Sequence, residues 1–196
     1  MSARTIVGVA GNVTQPSRTS VLVEAVVATA RAQIGGTTEL IELAAAAPSL
    51  FGAMTSEQLS DEGKEIIAAV EGADLLVVGT PVYRASYTGA LKHLFDLVGY
   101  DALVGKPVIL AATGGSQLHA LITEHQLRPL FGFFRALTMP TAIYATSAEF
   151  DDYRLSSTAV RQRIDRAVSE AASLFDAATA FAADFRRGQS RLTLVQ

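Results

Sequence analysis

At 196 residues, 49% of them hydrophobic and 18% charged, the chain suits one globular α/β domain with a core large enough to fold unaided. A net charge of −3 without any long basic or acidic block argues against nucleic acid or an anionic membrane surface as principal partner. The absence of cysteine removes disulfides, thiolate nucleophiles and cysteine metal sites together.

The first apolar run, Thr5–Ala10, reads as a buried strand rather than a targeting segment, because Gly11-Asn12 stand where a signal peptide would stay apolar. No run approaches the roughly 18 apolar residues of a membrane span, so a soluble, cytoplasmic protein is expected. A helix over 18–33 follows, then a short strand Glu39–Leu43. Residues 44–56 (AAAAPSLFGAMTS) contain Pro and Gly and read as an apolar covering loop. Next come a helix over 56–71, a strand Asp74–Thr80, a helix over 87–98, a strand Pro107–Thr113, a helix over 117–136 and a strand Thr141–Ala145. The last helix, 157–186, carries Val160, Ile164, Val168, Ala171, Leu174, Phe175, Ala178 and Phe181 at helical spacing. Residues 188–196 read as a tail, with Leu192, Leu194 and Val195 in alternation. Near-continuous apolar strands imply burial on both faces. Their alternation with helices predicts an α/β doubly wound parallel sheet.

In such a sheet, ligands bind beyond the carboxyl ends of the strands, and three of those ends carry chemistry here. Gly11-Asn12-Val13-Thr14-Gln15-Pro16-Ser17-Arg18-Thr19-Ser20 leads from the first strand into a helix start, where unpaired N–H groups and the macrodipole favour an anion. Ser17, Thr19 and Ser20 add neutral donors and Arg18 one fixed charge. Ser and Thr are also ordinary N-caps, so this segment alone has a purely structural alternative. Its spacing fits neither the P-loop nor the dinucleotide fingerprint; a mononucleotide phosphate fits better. The second end runs Gly79-Thr80-Pro81-Val82-Tyr83-Arg84-Ala85-Ser86-Tyr87-Thr88-Gly89. Pro81 stiffens the exit, Tyr83 and Tyr87 offer flat faces, and Ser86 or Thr88 can cap the next helix. The third is Ala112-Thr113-Gly114-Gly115-Ser116, where adjacent glycines admit backbone amides close to a planar ring and tolerate positive φ. Together the three ends suit a phosphate, a ribityl chain and an isoalloxazine ring.

Three stretches, AGNVTQPSRTS (10–20), GTPVYRASYTGALKHLFDLV (79–98) and LVGKPVILAATGGSQLHALITEHQLRPL (103–130), resemble the NAD(P)H-dependent FMN reductases of the flavodoxin-like superfamily. The likeness is greatest to those that supply reduced FMN to sulfonate monooxygenases. It extends to about residue 145 and implies a five-stranded sheet of order 2-1-3-4-5 within a single domain, 1–187. It further implies that FMN and NAD(P)H are the cofactors, that a flavin-dependent monooxygenase is a partner, and that the protein is a homodimer or homotetramer. The resemblance assigns Ser17, Arg18 and Thr19 to the FMN phosphate, Pro81, Val82, Tyr83 and Arg84 to the ribityl chain and ring, and Thr113, Gly114 and Gly115 to the ring's polar edge. Asn12 and Ser86 complete the cofactor-binding set. Asn12 and Thr14 stand where close relatives often have Ser and Arg, which leaves fewer positive charges around the phosphate.

No nucleophile, acid–base pair or metal motif is expected, because hydride transfer from nicotinamide C4 to flavin N5 is the cofactors' own chemistry. Pro129 lacks the N–H that would bond the His125 carbonyl, so a kink or widened turn is expected there. His125 itself falls where some sulfonate-linked relatives have a tyrosine associated with a π-bulge; His125, His119 and His93 are read as solvated or interface side chains. Lys92 and Asp96, i and i+4, read as an exposed helix pair, and Glu149-Phe150-Asp151-Asp152-Tyr153 as a loop with solvated carboxylates. Two rivals share much of this pattern: an FMN-containing quinone, azo-dye or chromate reductase, and a flavodoxin-type electron carrier. The mild net charge disfavours the carrier.

Overall fold

In a computed structural model that describes residues 4–192, with side chains to residue 177, strands β1 (Thr5–Ala10), β3 (Leu75–Pro81) and β4 (Pro107–Gly114) are buried along nearly their whole length. Strand β2 (Thr37–Glu42) is a half-exposed edge. Within this sheet every pairing is parallel, and the order is β2-β1-β3-β4-β5, the expected 2-1-3-4-5. The far edge is split into β5 (Leu137–Thr138) and β6 (Ile143–Thr146), both pairing with β4. While β4 advances from Val108 to Ala111, the edge chain advances from Thr138 to Ile143, so it carries a two-residue bulge. Pro140 lies within that bulge and has no N–H to give the ladder.

Successive strand residues feed opposite layers, as the pleat requires. Val7, Val9, Leu76 and Val78 join Ile67, Leu91, Leu94 and Phe131 on one face. Ile6, Leu75 and Val77 join Leu22, Val26, Ile164 and Val168 on the other. The first layer holds α3 (Asp61–Gly72), α4 (Gly89–Leu97) and α5 (Arg128–Phe133); the second holds α1 (Arg18–Ile34) and α6 (Thr158–Leu192). Gly8 and Gly79 let α1 approach the sheet closely. A Cβ at Gly8 would lie 2.7 Å from Val27 Cγ2, and one at Gly79 only 2.3 Å from Val23 Cγ2.

Three expectations are corrected. Residues Leu43–Leu50 form a helix, α2, rather than a loop, despite Pro48 inside it. Four alanines favour the helix and Leu43 and Leu50, seven apart, are buried on one face; Pro48 costs only the bond to the Ala44 carbonyl. The predicted helix 56–71 is a short 3₁₀ turn, Ser56–Gln58, followed by α3, which Ser60 starts by accepting from the Gly63 N–H. The predicted helix 117–136 breaks into a 3₁₀ turn at Gln117–His119, a π-helical turn at Thr123–Leu127 and then α5. The Arg128 N–H reaches back five residues to the Thr123 carbonyl. The widened turn therefore sits immediately before Pro129, where a missing donor makes the regular ladder unattainable.

Helix α6 continues to Leu192, so the reading of 188–196 as a tail falls partly within a helix; residues 193–196 lie outside those described. Among the described residues no helix is long and apolar enough to cross a membrane.

Candidate functional site

The carboxyl ends of β1, β3 and β4 surround an open cavity of about 280 Å³. It is lined by Asn12, Thr14, Pro16, Ser17, Arg18, Thr19, Pro81, Val82, Tyr83, Thr113, Gly114, Gly115, Ser147 and Tyr153. Every residue singled out from the sequence as cofactor-binding lines it except Arg84 and Ser86, which sit on the turn at its rim.

At the α1 end, Ser17 is the N-cap, and its hydroxyl accepts from the Thr19 and Ser20 N–H groups at 3.1 and 3.3 Å. These are long bonds that an incoming anion can share. Asn12 is buried and spends its amide on the turn itself, accepting from the Ser20 hydroxyl (2.9 Å) and donating to the Thr14 carbonyl (3.1 Å). It shapes the cradle from within. The Thr19 and Thr113 hydroxyls bond each other at 2.6 Å, stitching the first loop to the third. No acidic residue stands in the first turn of α1, so nothing there opposes an anion at the positive end of the dipole. Arg18 is the cation of this end. Its Nε is buried and has no hydrogen-bond partner among the described residues, a donor of the kind a phosphate or carboxylate would satisfy.

On the second rim, Val82 N–H bonds the Thr113 carbonyl at 2.7 Å, extending the β3–β4 pairing to the cavity wall. The chain then reverses at Tyr83–Ser86, which bond each other both ways across Arg84 and Ala85. Both central residues have positive φ, 52° and 64°, an unusual conformation for side chains other than glycine. The turn is tied sideways by the Ser86 hydroxyl, which donates to Gln126 of the π turn at 3.3 Å. Thr88 donates to the Gly11 carbonyl at 2.6 Å and accepts from the Leu91 N–H, capping α4 while holding the first loop.

The third rim corrects one reason given for its glycines. Neither Gly114 nor Gly115 has positive φ; what they supply is space. A Cβ at Gly114 would fall 2.1 Å from the Tyr144 hydroxyl, whereas Gly115 faces open space. The Tyr144 hydroxyl donates to the Ser116 carbonyl at 2.6 Å. Burial, followed by the nearby Glu149 carboxylate, pushes its pKa up, so the phenol keeps its proton.

Two lining residues escaped sequence reasoning. Glu149–Tyr153 is not a plain loop: Phe150–Asp151 (β7) and Arg154–Leu155 (β8) form a small antiparallel hairpin, and Ser147 precedes it. Asp151 and Asp152 are exposed as expected, but the hairpin turns Tyr153 onto α1, where the Arg18 guanidinium lies 5.3 Å from its ring centroid. An aromatic next to two aspartates gives no local signal of such a role.

The histidines stand apart from the main cavity. His93 is held against the Leu50 carbonyl and the edge of Phe51. His119 and His125 line a separate 160 Å³ hollow with Ala85, Leu118, Leu121, Ile122 and Gln126. Lys92 and Asp96 pair as an exposed i, i+4 couple.

Such a cavity binds and positions rather than cleaves. It offers hydroxyls, amides, one guanidinium and aromatic faces. The family model of NADPH-dependent FMN reductases matches residues 4–151. The chain belongs to that family. The reductase is 49% identical over 172 residues to the NADH-dependent FMN reductase SfnE of Pseudomonas putida, covering 88% of this chain and 92% of the relative. It is 46% identical over 170 residues to an FMN reductase (NADPH) of Pseudomonas aeruginosa, covering 87% and 91%. Among solved structures, an oxidoreductase from Corynebacterium diphtheriae superposes with a TM-score of 0.78 at 37% identity, covering 89% of this chain and 97% of that one. The reductase is accordingly an NAD(P)H:FMN oxidoreductase with a flavodoxin-like fold. FMN suits the residues present, since the unpartnered Arg18 Nε and the carboxylate-free start of α1 fit a phosphate.

Proposed function

We propose that the cavity holds FMN with its phosphate at the start of α1, its ribityl chain along Pro81–Tyr83 and its ring against Thr113–Gly115, and that the flavin leaves after reduction to serve a partner monooxygenase. The observation that carries this reading is the donor set at the anion end: one guanidinium with a free buried Nε, surrounded by neutral hydroxyls and amides. A single fixed charge in an open cleft suits a ligand that must be released. Relatives named NADH-dependent FMN reductases support the assignment of FMN to this cavity.

Bound FMN supplies the acceptor for a hydride from the nicotinamide ring, so the protein's tasks are positioning and charge. Arg18, Ser17 and the helix start neutralise the phosphate. The half-exposed Tyr83 borders the space beside the ring. Backbone amides of the Thr113–Ser116 segment lie where negative charge on the ring's polar edge would need donors. Arg84, at the tip of its strained turn, stands outside the cavity with its charge in solvent and is available to an incoming nucleotide.

Self-association into a homodimer or homotetramer completes the proposal; the exposed, edge-to-face Tyr100 and Phe133 beside α4 and α5 supply aromatic surface for it, and light scattering measures it. The deciding experiment is steady-state oxidation of NADH and NADPH by the apoprotein with FMN varied. Saturation in added FMN is expected, with the protein colourless after dialysis. A tightly held flavin that survives dialysis and turns over with another acceptor would overturn the diffusible-product role.

A further inference from the structure

We propose that Tyr153 is a positioning residue for the anion end of the cavity: its ring holds the Arg18 guanidinium in place without neutralising it, and this makes the site selective for a flavin bearing a terminal phosphate. The inference rests on the FMN reading above and extends it to a residue far outside the phosphate turn.

An arginine that must meet an anion has to be fixed in orientation, because a free side chain loses rotamer entropy on binding. The usual device, a carboxylate, would consume both the charge and the forked donors. Here no acidic side chain among the described residues forms an ion pair with Arg18, and no acidic residue occupies the first turn of α1. The Tyr153 ring stands in that place, 5.3 Å from the guanidinium carbon. A π face attracts the cation while leaving its N–H groups unspent, and the buried Nε is indeed unspent.

The position of the ring is not incidental to a floppy loop. Phe150 and Leu155, at the base of the hairpin, are buried in the cluster that also holds Leu22 of α1. The Ser156 N–H bonds the Glu149 carbonyl at 2.9 Å, and Glu149 in turn accepts from the Thr146 N–H and hydroxyl. The hairpin base is thus fastened to both β6 and α1. Asp152, at φ 55°, turns the tip so that the next side chain faces the cavity; aspartate tolerates that conformation better than most residues.

The test measures binding by calorimetry, with FMN and riboflavin as probes, on the full-length wild type and on Tyr153→Phe, Tyr153→Leu and Tyr153→Ala. Phenylalanine keeps the π face and should hold the FMN-to-riboflavin affinity ratio within about twofold of wild type. Leucine keeps apolar bulk without the quadrupole, and alanine removes both. Each should weaken FMN about three- to tenfold more than it weakens riboflavin. Leucine guards against the case in which alanine simply unsettles the hairpin. Equal weakening of both flavins, or an unchanged ratio in Tyr153→Leu, would overturn the role of Tyr153. A wild type that binds neither flavin would instead overturn the FMN reading itself, and that result involves no variant.

Discussion

Replacing Gly114 by alanine probes how the third rim is built, because the space that glycine vacates is filled by one atom. A Cβ there would lie 2.1 Å from the Tyr144 hydroxyl, 3.1 Å from its Cζ and 3.4 Å from Val82 Cγ2. The phenol must retreat by roughly an ångström to regain ordinary contact, which breaks its 2.6 Å bond to the Ser116 carbonyl. The lost bond is worth about 1 kcal/mol and the crowding of a packed wall about 1–3 kcal/mol, so Gly114→Ala should cost about 2–4 kcal/mol. Tyr144→Phe alone should cost about 1 kcal/mol, since the half-buried Ser116 carbonyl can turn to water. With the hydroxyl gone, the nearest obstacle to the new methyl is Cζ at 3.1 Å, a contact relieved by a small ring tilt. Gly114→Ala should then cost only about 1 kcal/mol in the Tyr144→Phe background, a coupling of about 1–3 kcal/mol between the two sites. Urea unfolding of the four proteins measures it. Costs that add within about 0.5 kcal/mol would refute the argument that the Tyr144 hydroxyl is what demands glycine at this position.

Ala85→Gly should stabilise the protein by about 0.5–1 kcal/mol, because relief of the left-handed conformation at φ 64° outweighs the added entropy of the unfolded chain; a melting temperature equal to or below wild type would contradict this. Thr19→Val leaves the Thr113 hydroxyl buried without its 2.6 Å partner and should cost about 1–2 kcal/mol, whereas Thr19→Ser should recover most of it in the same unfolding assay. The bidentate Arg128 pair, chiefly through its hydrogen bonds, holds the Glu124 carboxyl below its ordinary value of 4.5. A lowered carboxylate pKa contributes stability that is full above the ordinary value and is lost as pH falls through the folded one. Both partners are partly exposed, so Glu124→Gln should cost only a few tenths of a kcal/mol at pH 7. That deficit should shrink as pH drops below 4.5; a gap independent of pH would show that the pair does not brace the π turn.

Much of this molecule is written in short-range pattern. Unbroken apolar runs such as Leu75–Val78 require cover on both faces, and that alone implies parallel strands with helices on either side. Ser17 before an apolar-periodic stretch announces a cap, and Pro129 announces a disrupted turn, because each acts on donors within five residues of itself. Where the reading slipped, two local signals competed: Pro48 outvoted four alanines for α2, although Leu43 and Leu50 had already the spacing of a buried helical face.

Pattern of that range determined the parallel sheet, the three loops at its carboxyl ends and the hydroxyl-rich start of α1. Tertiary structure alone decided which side chains complete the cavity. The Thr19–Thr113 bond spans 94 positions, Tyr144 dictates glycine at 114 from the neighbouring strand, and Tyr153 reaches Arg18 from just beyond the matched family region, which ends at residue 151. Periodicity and capping report which way a residue faces along its own element. Which distant element it then meets depends on how the whole chain returns to the sheet, and no window of sequence contains that return.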